Sequence, residues 1–109
     1  MPHNPALQNN YVIEADQRAI DLAPKDKYEQ GDRIALRVGE LLRYVNCTLM
    51  PSLGYQSQWN SDGLHTDKPL PYDVLTTIRG KTEELFKIPV RIKNLTLEKR
   101  VAIQHRKNR

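Results

Sequence analysis

The residues of this 109-residue chain whose types invite chemistry are three histidines, one cysteine and a pair of aromatics in a polar stretch. His65-Thr66-Asp67 has His-x-Asp spacing, half of the facial set in which two His and one carboxylate hold iron and leave positions open. The second imidazole would come from His105, since His3 sits in a Pro- and Asn-rich opening. The tripeptide also lies between Gly63 and Pro69, where a solvated His and a turn-forming Asp are the simpler account of it. Cys47 has no His near it in sequence to depress its pKa, so a buried structural thiol is expected rather than a nucleophile. Tyr55 and Trp59, four apart, either stack on a base, at about 1–3 kcal/mol per base, or fill the core. A glycine-rich phosphate loop, a P-loop lysine, a nucleophile elbow and a paired-carboxylate motif are all missing from the sequence, and no catalytic residue is assigned.

The net charge of +4 is unevenly placed. Residues 1–90 hold ten Lys+Arg and twelve Asp+Glu, a net of −2, whereas residues 91–109 hold seven basic residues and one acid, a net of +6. Arg91, Lys93, Lys99, Arg100, Arg106, Lys107 and Arg109 are therefore the candidate contacts to nucleic acid or another acidic partner, binding by counterion release. A solvated C-terminus explains the same charge. One cysteine excludes an internal disulfide and a thiolate zinc cage, which points to an intracellular protein. No apolar run approaches the roughly 20 residues needed to cross a bilayer, and the opening residues lack the basic start and apolar stretch of a secretory signal. Membrane partners are not expected.

The elements that must position these residues are legible from punctuation and periodicity. Residues 1–10 read as a disordered arm, 11–97 as one domain and 98–109 as a basic C-terminal segment. Residues 11–22 predict a strand and a helical turn. Ile34, Val38, Leu41, Leu42 and Val45 recur on one helical face over residues 32–44, with Asp32 placed as the cap. Residues 48–59 read as strand pieces broken by Pro51 and Gly54, and residues 60–63 as a turn, together a hairpin or flap. Val74, Leu75, Ile78, Leu85 and Phe86 predict a second amphipathic helix that starts near Pro71 and stops before Pro89, with Arg79, Lys81 and Lys87 on its solvent face. Val90/Ile92, Leu95/Leu97 and Val101/Ile103 alternate as two or three short strands. The fold class is α+β: two amphipathic helices packed on a small, mainly antiparallel sheet.

Leu53-Gly54-Tyr55, Asp62-Gly63-Leu64, Asp67-Lys68-Pro69-Leu70-Pro71, Val74-Leu75 and Ile78-Arg79 resemble, in that order, the segment upstream of the iron site in AlkB-family dioxygenases. That resemblance covers roughly residues 44–105. It implies an incomplete double-stranded β-helix, with Tyr55 and Trp59 on the flap that receives the nucleotide, then an amphipathic helix, then a strand with Asn94 in the family's Asn position. It also implies Fe(II) and 2-oxoglutarate as cofactors, His105 as the first metal ligand, and oxidative dealkylation of nucleic-acid bases or protein side chains as the family activity. The sequence departs from the pattern at Lys107, which stands where the carboxylate ligand belongs and would repel a divalent metal. The later His and the Arg residues that hold 2-oxoglutarate are not expected within 109 residues. The expectation is thus an AlkB-like protein that is inactive alone, with sheet edges free for a protein partner. A small basic binding protein without catalysis is the alternative.

Overall fold

The computed structural model describes residues 7–96. Strand β1 (Asn9–Ala15) leads into the short helix α1 (Gln17–Leu22), whose N-cap Asp16 accepts the Ala19 N–H at 3.1 Å. The strand takes in Asn9 and Asn10, and Leu7 before it is buried, so residues 7–10 of the stretch whose composition suggested an arm belong to the fold.

Helix α2 (Asp32–Tyr44) has the predicted bounds, but its N-cap is Gly31 at φ 58° and Asp32 is the first helical residue. The helical path does not stop at Tyr44. It widens into a π-helical turn, Val45–Leu49, and ends in one α turn, α3 (Met50–Ser52). This corrects the strand reading of residues 48–52. A proline in a helix lacks an N–H and crowds the carbonyl four residues back. The widened turn, in which the Met50 N–H reaches back to the Val45 carbonyl, gives Pro51 room beside Cys47.

The hairpin follows as β2 (Ser57–Asn60) and β3 (Gly63–Thr66), and helix α4 (Tyr72–Phe86) leads to β4 (Val90–Asn94). Leu95 and Thr96 do not begin the further strand that alternation suggested. Instead the Thr96 hydroxyl accepts the Asn10 N–H, close to β1. The expectations for Val101/Ile103 lie outside the described residues.

The sheet order is β2-β3-β1-β4, with every neighbouring pair antiparallel. The fold is therefore α+β, as the sequence pattern indicates, with helices packed on a four-stranded antiparallel sheet. Register puts Trp59, Leu64 and Tyr11 side by side, with Ile13 opposite Ile92 and Ala15 opposite Val90. Tyr11, Ile13, Leu64 and Val90 meet Leu41, Val45, Leu49, Met50, Ile78 and Ile88 in one core. Four of the buried helical residues, Leu41, Val45, Leu49 and Met50, come from the end of α2 and its continuation, so the π turn carries much of the burial that holds this layer. Each such side chain contributes about 1.5–3 kcal/mol relative to exposure.

Candidate functional site

The Trp59 pocket is built from α2, the π turn and the hairpin edge. Gly39, Leu42, Arg43 and Asn46 recur at i, i+3, i+4 and i+7, which places them on one helical face. Together with Cys47 and Trp59 they line a cavity of about 380 Å³. The hairpin is locked to the turn by Ser57, whose hydroxyl donates to the Asn46 backbone carbonyl at 3.1 Å and lies 2.7 Å from its side-chain Oδ1. Trp59 stands two residues along on the same strand face, half-buried, packed against the core while also lining the cavity. Arg43 makes no ion pair among the described residues, so its guanidinium is available at the rim.

Cys47 is exposed, which corrects the expectation of a buried thiol. In the π turn Val45 and Leu49 take the core-facing positions, and Cys47 between them turns outward. Tyr55 does not line the Trp59 cavity. Its N–H donates to the Met50 carbonyl at 2.9 Å, and the Lys68 ammonium sits 4.9 Å from its ring centre while donating to the Gly54 carbonyl. Partial burial is the largest cause raising its phenol above the usual tyrosine value, followed by the negative surroundings of Asp73, the Tyr11 phenol and Asp67.

His65-Thr66-Asp67 is not the solvated turn that its flanking residues suggest. His65 and Thr66 belong to β3 and are buried, and the His65 ring Nε2 lies 3.2 Å from the Asn60 Oδ1. Asp67 closes the base of the hairpin: its carboxylate accepts the Gln56 N–H at 3.0 Å and its own N–H donates to the Gln56 carbonyl at 3.1 Å. Among the described residues no three His, Cys, Asp or Glu side chains converge to hold a metal ion. Neither His65 nor Asp67 is part of such a group. His105 lies outside the described residues, as do Lys99, Arg100, Arg106, Lys107 and Arg109.

Arg91 and Lys93 are exposed on β4 and share one carboxylate, that of Glu14, at 3.7 and 3.8 Å. Their position across the strand pair places them on the sheet face opposite the helices, and Glu14 offsets part of their charge. Asn10, on the same face as His65, is 3% exposed, and among the described residues neither its amide nitrogen nor its amide oxygen has a hydrogen-bond partner.

No family model matches the chain, and neither a curated protein nor a solved structure shows significant similarity to it. The residues that sequence reasoning missed are Gly39, Arg43 and Asn46. Their helical spacing was available as a signal, but it becomes one face only when the helix is carried past Tyr44. Among the described residues, no helix is long and apolar enough to cross a membrane.

Proposed function

We propose that this domain is an AlkB-like nucleic-acid recognition module that takes an unstacked base in the Trp59 pocket. The observation that carries it is Trp59 itself: a half-buried indole at the edge of a cavity whose other walls supply Leu42, a free guanidinium on Arg43 and the Asn46 amide. A flat aromatic guest gains stacking area from the indole, a positive charge for an adjacent phosphate, and amide hydrogen bonds for a base edge. The order of elements supports the same family reading, since the hairpin is followed by Lys68-Pro69-Leu70-Pro71, then α4, then a strand ending on Asn94. Catalytic turnover is not assigned to the chain, because Lys107 replaces a carboxylate ligand and His65 and Asp67 are engaged elsewhere.

Trp59 is the only tryptophan, so its emission reports the pocket directly. Titration with a single-stranded oligonucleotide should quench it saturably. Affinity should fall with salt at a log-log slope near −0.7 per neutralised phosphate. With a labelled oligonucleotide, Trp59→Ala should cost about 1–3 kcal/mol of binding, as loss of one stacking contact does. Unchanged Trp59 emission at saturating oligonucleotide would sink the reading. Stoichiometric iron binding with 2-oxoglutarate decarboxylation would overturn its non-catalytic part.

A further inference from the structure

A second cavity, of about 290 Å³, opens where the loop between α1 and α2 meets the end of α4, and it shares no residue with the Trp59 pocket. Its walls carry Lys25, Arg33, Lys87 and Gln30, with the carboxylates of Asp26 and Glu29. The loop is held in place from both sides. The Glu29 N–H donates to the Lys87 carbonyl at 2.8 Å, and the Tyr28 hydroxyl donates to the Glu83 Oε1 at 2.9 Å.

The charges in this cavity are not balanced. Glu29 is already engaged by Arg37 at 3.0 Å, whose guanidinium also lies over the Phe86 ring. Lys25, Arg33 and Lys87 make no ion pair among the described residues, which leaves three cations against the single unspent carboxylate of Asp26. Lys87 is also the sole non-glycine residue with positive φ among those described, at φ 54° and ψ 38° where α4 terminates. Glycine is the residue that this left-handed position favours. A lysine there adds backbone strain, and it places an ammonium on the wall of the cavity.

We propose that this cavity binds the phosphate group of an ester or of a polynucleotide backbone, through Lys25, Arg33 and Lys87. A guanidinium fork matches phosphate oxygens in pairs, and two ammonium groups supply the charge that offsets the phosphate anion. This site goes beyond the base pocket and does not depend on it.

The test titrates inorganic phosphate into the full chain at constant ionic strength, following backbone amide shifts by NMR. Saturable shifts confined to residues 24–33 and 87 are the expected result. Lys87→Gly suits the left-handed backbone, so the thermal midpoint should hold or rise while phosphate affinity falls about tenfold, the weight of one charge-assisted contact. Arg33→Gln should weaken binding similarly, and Lys81→Gln, an exposed cation elsewhere on α4, should leave it unchanged. Displacement of phosphate by an oligonucleotide lacking terminal phosphates identifies the backbone as the source. Displacement by glycerol phosphate alone identifies a free monoester. Shifts that never saturate, wild-type affinity in both Lys87→Gly and Arg33→Gln, or displacement by neither ester overturns the proposal. The base pocket fails separately, on Trp59 emission.

Discussion

Gly63 shows how one residue fixes the hairpin. It opens β3 at φ 118°, and a Cβ there would meet the Tyr11 carbonyl oxygen at 2.5 Å and the Asn10 Oδ1 at 3.2 Å. Both the backbone angle and the approach of β1 demand glycine. Gly63→Ala should therefore lower unfolding stability by at least about 2 kcal/mol, read from urea midpoints. Tyr55 makes a different kind of prediction. Its phenol holds the proton more tightly in the fold than in the unfolded chain, where the value is near 10.0. Between those two values the folded state binds more protons, so its contribution is intact below about pH 10 and is lost as pH rises through the folded value. The tyrosinate absorbance difference between wild type and Tyr55→Phe should have its midpoint above 10, and a midpoint at or below 10 would contradict the burial described for this ring. Neither effect is visible in residue type alone, because one depends on the backbone that the fold brings against Gly63 and the other chiefly on the burial that it imposes on Tyr55.

At the scale of the element, α2 and its π-helical continuation decide where the pocket lies. Periodicity gave α2 its bounds, and Pro51 and Gly54 then suggested that the chain breaks into strands. A widened turn relieves the clash that made Pro51 a breaker, so Val45, Leu49 and Met50 reach the core and Cys47 reaches solvent. Two helical glycines separate stability from the pocket. Nothing lies within 4 Å of a Cβ added at Gly39 or Gly80, so either change to Ala should stabilise its helix by about 0.5–1 kcal/mol. Gly39 lines the Trp59 cavity and Gly80 does not. Gly39→Ala should raise the melting temperature while weakening oligonucleotide binding, whereas Gly80→Ala should raise it with binding unchanged. Equal binding in both variants would mean that the Gly39 wall is not a contact.

Across the whole molecule, the helices and their connections are tied to β1 by contacts between residues far apart in sequence. The Tyr11 hydroxyl accepts the Leu70 N–H at 2.8 Å in a buried setting, which anchors the Pro-rich lead into α4 on the central strand. Tyr11→Phe leaves that N–H buried and unpaired, and should cost about 1–3 kcal/mol in chemical denaturation. A cost near zero would show that water reaches Leu70. The same long-range closure distributes charge. Arg91 and Lys93 are drawn to Glu14 across β1 and β4, while Lys25 and Arg33, from the stretch between α1 and the start of α2, meet Lys87 at the end of α4. Chain-wide arithmetic located the positive charge at the C-terminal end, yet three unpaired cations lie together within a body whose net charge is negative.

The sequence by itself determined the local order: α2 and α4 at their bounds, the hairpin around Asn60 and Gly63, β4 after Pro89, and the α+β class. Those features follow from periodicity, proline geometry and turn chemistry, which act over a few residues. Only the tertiary structure decided the site. It carried the helix through Pro51, spent Asp67 on the hairpin base, buried His65 in β3, and separated Tyr55 from the Trp59 pocket. It also brought Lys87 to Lys25 and Arg33 across more than fifty residues of chain. The reason is physical: sheet register and helix packing set which side chains meet, and neither is encoded in the spacing of the residues that do the chemistry.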